Sequence, residues 1–214
     1  MKPQLQIALD VTSLDQALSI LKTPGLVDAV DIIEAGTVLL AAEGQKAVKV
    51  LREAYPQKTL VADFKIADAV NTIGAMFFGH GANLITVIAA ADIVTMANAK
   101  VLADKYTQEI QIELYGHWDE ALARQWKTTG IEHIIYHHSR DAAKPWDDTD
   151  LERIKLLVKL GYQVSVTGGL NPEHIKLFKD FPVYSFIIGR SLYEANDPTH
   201  MALAFQTEIN RYFG

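Results

Sequence analysis

Residues 59–89 read TLVADFKIADAVNTIGAMFFGHGANLITVIA. A β-rich run, Thr59–Lys65, is followed by a longer stretch of helical apolar spacing that closes at Gly79-His80-Gly81, and then by a second β-rich run, Asn83–Ala89. Strand, helix and strand in that order make one β/α unit, whose crossover helix leaves the two strands parallel. Working outward, the unit recurs along the whole chain. Strands are predicted at Leu5–Asp10, Val30–Gly36, Thr59–Lys65, Asn83–Ala89, Glu109–Tyr115, His133–His138, Gln163–Gly169 and Val183–Arg190. Their starts fall about 25 residues apart, the length of one strand and its crossover helix. Eight evenly spaced units in 214 residues predict one (β/α)8 barrel domain over 1–214 rather than an open, doubly wound sheet.

Helix signals support the spacing. Ser13 with Gln16, and Thr149 with Glu152, read as capping pairs ahead of apolar runs, and Asn171-Pro172 reads as a cap with Pro at the first helical position. Gly130 and Gly161 each stand after a helical run and before a strand, as left-handed terminators do.

Composition narrows the function classes. With 20 Lys+Arg against 26 Asp+Glu the net charge is −6, which disfavours binding to nucleic acid or to anionic membranes, since both need a concentrated basic surface. No apolar run is long enough to span a bilayer, and the start lacks the pattern of a secretory signal. With no Cys there is no disulfide framework, thiolate zinc site or Cys nucleophile, and a cytoplasmic location is expected.

In a barrel of this kind the active site lies at the C-terminal ends of the strands. Those ends are unusually charged: Asp10, Glu34, Asp63-Phe64-Lys65, Glu113, then His137, His138 and Arg140. Alternation turns Asp63 and Lys65 to one face and Phe64 to the other, so the charged pair shares the barrel mouth; a plain rim ion pair is the alternative. Glu34 and Asp63, on neighbouring strands, offer the oxygen donors that suit Mg²⁺, or are simply two solvated acids. The last two strands end in Thr167-Gly168-Gly169 and Gly189-Arg190-Ser191. Glycines allow close backbone approach and Arg binds two phosphate oxygens, so a phosphate-bearing substrate is expected here. His80 is expected at a helix end, His133, His174 and His200 on solvated surface, and Trp118, Trp126 and Trp146 in packing roles.

These residues resemble a known family. Asp63-Phe64-Lys65-Ile66-Ala67-Asp68 matches the Asp-x-Lys-x-x-Asp signature of the orotidine 5′-monophosphate decarboxylase superfamily. Asp10, Val30-Asp31-Ile32-Ile33-Glu34 with Gly36-Thr37, Glu113-Leu114, Tyr136-His137-His138-Ser139-Arg140-Asp141, Val166-Thr167-Gly168-Gly169-Leu170 and Gly189-Arg190-Ser191 are more closely similar to its 3-keto-L-gulonate 6-phosphate decarboxylase branch. The resemblance covers nearly the whole chain. It implies Mg²⁺-dependent decarboxylation of 3-keto-L-gulonate 6-phosphate to L-xylulose 5-phosphate and CO₂ through an enediolate, in use of L-ascorbate or related sugars.

Residue by residue, the resemblance implies that Glu34 and Asp63 hold Mg²⁺ and that Lys65 hydrogen-bonds the enediolate oxygen. It further implies that Asp68 reaches the neighbouring subunit's site in a homodimer, that Glu113 orients the substrate, and that His137 and Arg140 position the protonating water. Asp10 would bind substrate hydroxyls, and Thr167, Gly168, Gly169, Gly189 and Arg190 the phosphate end. Tyr115 departs from the pattern, since a smaller side chain is familiar two residues after Glu113. Phe64 departs too, but faces outward. The rival readings are D-arabino-hex-3-ulose 6-phosphate synthase, which shares the enediolate chemistry, and a non-catalytic sugar-phosphate sensor on the same barrel.

Overall fold

A computed structural model describes residues 2–138 and 144–214. Eight parallel strands close into a barrel in sequence order: β1 (Gln4–Leu9), β2 (Ile32–Ala35), β3 (Thr59–Ile66), β4 (Leu84–Ile88), β5 (Glu109–Glu113), β6 (His133–His137), β7 (Gln163–Thr167) and β8 (Val183–Ile188). The single (β/α)8 barrel expected from the spacing is the observed fold, each strand lying at or within two residues of its predicted limits.

Helices follow every strand except β7. They are α1 (Leu14–Leu21), α2 (Leu26–Ala29), α3 (Thr37–Glu43), α4 (Gln45–Ala54), α5 (Val70–Gly79), α6 (Ile93–Tyr106), α7 (Glu120–Lys127), α8 (Asp148–Lys159), α9 (Arg190–Tyr193) and α10 (Pro198–Phe213). After β7 the chain makes a 3₁₀ helix, Pro172–Phe178, although Asn171 caps it as expected by accepting from His174 N. Ser13 caps α1 by accepting from Gln16 N. At α8 the cap differs from expectation: Asp147 accepts from Thr149 N and Asp150 N, and Asp150 returns the bond, so the helix starts before Thr149. An Asp carboxylate accepts from the exposed N–H groups and favours the positive helix end, which decides the boundary. Gly130 and Gly161 have φ of 82°, the left-handed conformation expected after a helix. Among the described residues no helix is long and apolar enough to cross a membrane.

Alternation along the strands separates two environments. Outward-facing Leu5, Ile7, Leu9, Ile110, Ile112, Val164 and Val166 join the helices in the main apolar core. Inward-facing residues form small separate clusters, Ile32, Val61 and Leu84 in one and Ala8, Ile135 and Ile187 in another. The buried polar residues Gln6, Glu34, Asp63, Gln111, Glu113, Ser165 and Ser185 also belong to the strands. A further buried polar residue overturns an expectation. His133, expected on solvated surface, opens β6 inside the barrel and is 6% exposed, its ring meeting Tyr184 edge-on at 4.6 Å. Placing a strand-initial His inward removes it from water. Trp118 and Trp126 are buried packing residues, and Trp146 packs edge-on against Phe178.

Candidate active site

The mouth of the barrel holds a cavity of about 170 Å³. Asp10, Glu34, Asp63, Lys65, Glu113, His137, Thr167, Gly168, Gly169, Gly189 and Arg190 all line it. Asp68 does not; it is exposed, and its Oδ1 accepts from Ala69 N. Arg140 lies outside the described residues.

The Asp-x-Lys segment is not a plain strand. Lys65 has φ 53° and the β3–β4 register shifts between Ala62 and Ile66, which marks a bulge. Lys65 N donates to Thr86 Oγ1 at 2.8 Å, a side-chain bond at the point where the ladder is interrupted. Ala69 also has φ 53°, so left-handed backbone occurs at both Lys65 and Ala69 in the Asp63–Asp68 stretch. Such conformations cost of order 1–2 kcal/mol each in non-glycine residues and persist where surrounding contacts over-determine them. The expected outcome of alternation survives the bulge: Phe64 packs outward on Phe77 at 5.2 Å, and Lys65 folds back onto Asp63.

A charged chain crosses the mouth. The Lys65 ammonium pairs with Asp63, donates to Thr37 Oγ1 at 2.6 Å and lies 3.1 Å from Glu113 Oε2. That last contact is an ion pair without hydrogen-bond alignment, and Glu113 Oε2 has no hydrogen-bond partner among the described residues. Glu113 Oε1 lies 3.0 Å from His137 Nδ1, and the Tyr115 hydroxyl lies 3.0 Å from the same nitrogen. Asp63 is held from its other side by Thr86 Oγ1 at 2.7 Å, and Thr37 Oγ1 donates to its Oδ2 at 2.7 Å. Glu34 accepts from Gln6 Nε2, whose amide is oriented by Ser185 Oγ donating to Gln6 Oε1 at 3.2 Å.

Burial works against every charge here, and the partners decide each outcome. Burial and the neighbouring Asp63 and Asp10 push the Glu34 carboxyl well above the usual carboxylate range. Burial would also raise Asp63, but Lys65 and the Thr37 hydrogen bond outweigh it and hold Asp63 low. The Lys65 ammonium loses solvation but gains Asp63 and Glu113, and its pKa is raised. Glu113 is raised by burial and by Asp63. Asp10, Glu34, Asp63 and Glu113 therefore face Lys65 and Arg190 across one small space.

The opposite wall is backbone-rich, with Arg190 as its charged side chain. Gly168 has φ 109° and crosses the end of β6 so closely that a Cβ would collide with the His138 carbonyl. Trp146 Nε1 donates to Gly168 O at 3.0 Å, and Ser191 Oγ donates to Leu170 O at 2.9 Å, tying the β7 and β8 ends in place. A similar close approach occurs near Asp10, where a Cβ on Gly36 would strike the Asp10 carboxylate. His138 points away from the cavity, with its Nδ1 3.2 Å from Asp150 and its ring stacked on Trp146.

Sequence reasoning left Gln6 and Thr86 without roles and quoted Thr37 without assigning it one. The available signal for Gln6 and Thr86 was a polar residue flanked by apolar ones within a strand, since an inward polar group needs a partner.

Comparison with known proteins shows the family. Residues 3–205 match the family described as Orotidine 5'-phosphate decarboxylase / HUMPS family. The 3-keto-L-gulonate-6-phosphate decarboxylase of Escherichia coli (strain K12) is 43% identical over 219 residues, covering 100% of this chain and 97% of that protein. The crystal structure of 3-keto-L-gulonate-6-phosphate decarboxylase from Vibrio cholerae O1 biovar El Tor superposes with TM-score 0.93 at 42% identity, covering 100% of both chains. The 3-hexulose-6-phosphate synthase from Salmonella typhimurium superposes with TM-score 0.90 at 26% identity, over 98% of this chain and 99% of that one. The chain belongs to the orotidine 5′-phosphate decarboxylase / HUMPS family and is an enzyme of the carboxy-lyase class.

Proposed function

We propose that this enzyme decarboxylates 3-keto-L-gulonate 6-phosphate to L-xylulose 5-phosphate and CO₂, with Mg²⁺ as cofactor, in catabolism of L-ascorbate or related sugars. The observation that carries the reading is the Asp63–Lys65–Glu113–His137 chain facing the Gly168/Gly169 and Gly189/Arg190 wall across one cavity. Relatives more than 40% identical over the full chain carry the decarboxylase name, and the hexulose-phosphate synthase is more distant.

Loss of CO₂ beside a ketone leaves an electron pair that must be held as an enediolate, so catalysis consists of stabilising that developing charge. Lys65, protonated and fixed by Asp63 and Glu113, places an ammonium where the enediolate oxygen would develop. Glu113 Oε2, without a hydrogen-bond partner among the described residues, and the Asp10 carboxylate are acceptors for substrate hydroxyls. Arg190 and the backbone at Gly168, Gly169 and Gly189 hold the phosphate, with Thr167 on the same wall. His137, with Arg140, orients the water that returns a proton to the carbon from which CO₂ departs.

The donor set fits a hard divalent ion. Glu34 is buried beside Asp63 and Asp10, and burial and those neighbours together push its carboxyl up. Among the described residues no three His, Asp or Glu converge as a ligand cluster, so Glu34 and Asp63 would hold the ion together with water and substrate oxygens, as suits Mg²⁺. When bound, Mg²⁺ supplies charge neutralisation beside the substrate oxygens.

The same reading makes the enzyme a homodimer, with Asp68 completing the neighbouring subunit's site. Support comes from Asp68 being exposed and absent from its own cavity, and from the exposed Val38, Met76, Val94 and Val101 on the helices after β2, β3 and β4.

The test is to incubate the protein with 3-keto-L-gulonate 6-phosphate, with and without Mg²⁺, and to measure CO₂ and L-xylulose 5-phosphate. Mg²⁺-dependent formation of both is expected. Turnover of formaldehyde with D-ribulose 5-phosphate in place of CO₂ release would shift the assignment to the synthase.

A further inference from the structure

Trp146 precedes α8 and its indole does not line the cavity, although the residue it bonds does. Its Nε1–H, which can only donate, makes a 3.0 Å hydrogen bond to Gly168 O, and among the described residues that carbonyl has no other partner. The ring carrying this donor is held from two sides. It stacks on His138 with centroids 4.6 Å apart and planes at 24°, and it meets Phe178 edge-on at 5.2 Å. His138 is anchored in turn, with Nδ1 3.2 Å from Asp150 Oδ2 and Nε2 2.8 Å from Lys144 O.

The bonded carbonyl belongs to the peptide between Gly168 and Gly169, whose φ angles are 109° and 61°. With no Cβ on either side, sterics restrain the turning of that peptide less than any other pair of residues would, so an outside hydrogen bond selects its orientation. A trans peptide carries its C=O and N–H on opposite sides. Gly168 O faces Trp146 behind the wall, and the Gly169 N–H therefore faces the other way, toward the cavity that Gly169 lines. That N–H has no hydrogen-bond partner among the described residues.

We infer that Trp146 is a positioning residue for phosphate: its indole N–H fixes the Gly168–Gly169 peptide with the Gly169 N–H turned to the phosphate end of the substrate. This role rests on the phosphate reading of the wall given above and involves no titrating group. A donor already fixed toward an anion loses little freedom when the anion binds, so the benefit falls on affinity rather than on the chemical step.

The test compares the full wild-type chain with Trp146→Phe, which keeps an aromatic ring against His138 and Phe178 and removes the donor. In ¹⁵N-glycine-labelled protein, inorganic phosphate should shift the Gly169 amide, and Trp146→Phe should bind phosphate about tenfold more weakly and show a smaller shift at saturation. In CO₂-release assays the same variant should raise KM about tenfold and change kcat less than about twofold. A second variant, with β-(3-benzothienyl)alanine in place of Trp146, substitutes sulfur for the N–H in a ring of the same shape and should reproduce the weakening. Wild-type phosphate affinity in both variants, or a fall in kcat with KM kept, would overturn the role. If the wild-type chain binds phosphate at Gly169 but releases no CO₂, the substrate assignment fails and the phosphate comparison decides Trp146. A wild-type Gly169 amide that does not respond to phosphate would overturn the inference together with the phosphate reading.

Discussion

Thr86 Oγ1 donates to Asp63 Oδ1 at 2.7 Å and accepts from the Lys65 backbone N–H at 2.8 Å, so one buried hydroxyl on β4 holds both ends of the Asp-x-Lys bulge. Thr86→Val keeps the shape and removes both bonds. It leaves a carboxylate oxygen and an N–H unpaired in the interior, which should cost about 2–4 kcal/mol. The urea midpoint should fall, and kcat should fall as Lys65 loses its fixed backbone. A midpoint equal to wild type would show that water replaces the hydroxyl.

His133 supplies a pH dependence remote from the cavity mouth. Burial lowers its pKa from 6.5 to about 4, so between those values the unfolded chain binds more protons than the folded one. Stability is then fully present above the unfolded value and is lost as pH falls through the folded one, by up to about 3 kcal/mol. Denaturant titrations from neutral to acid pH should show this slope, and His133→Phe, which keeps a ring against Tyr184, should flatten it. An equal slope in that variant would place the acid sensitivity elsewhere.

Ion binding to the folded chain alone should raise the melting temperature. At an Mg²⁺ concentration about 100 times its Kd the gain is about 2.7 kcal/mol. Glu34→Gln and Asp63→Asn should each abolish the Mg²⁺-dependent rise. A rise retained in both variants would move the ion to another site.

Lys65→Ala and Asp68→Ala should each be inactive alone. If Asp68 completes the partner's site, a fully exchanged equal mixture should regain about a quarter of wild-type activity, because half the dimers are mixed and each has one intact site. No recovery after confirmed subunit exchange would make Asp68 a residue of its own subunit only.

Much of this was legible in the residues. The β/α spacing located all eight strands, because a barrel strand packs its outward face on helices and its apolar run therefore stands out from its surroundings. The charged strand ends located the mouth, since such residues are otherwise rare at the close of a buried strand. His133 was misplaced because a strand-initial His looks the same in sequence whether it faces water or the barrel interior. The α8 cap was misplaced because Asp147 and Thr149 both suit the position, and the path of the chain into the helix chose Asp147.

The sequence by itself determined the (β/α)8 fold, the charged mouth and the glycine-bearing wall opposite it, because periodicity and strand-end chemistry are local properties of the chain. Only the tertiary structure decided how the mouth is wired: that Lys65 bulges and folds back to bridge Asp63 and Glu113, that Thr37, Thr86 and Gln6 hold the carboxylates, and that Tyr115 and Glu113 share His137 Nδ1. Apart from the Asp63–Lys65 pair within β3, those contacts join residues 21 to 48 positions apart. Barrel closure and the bulge fix their distances, and neither can be read from local residue preferences.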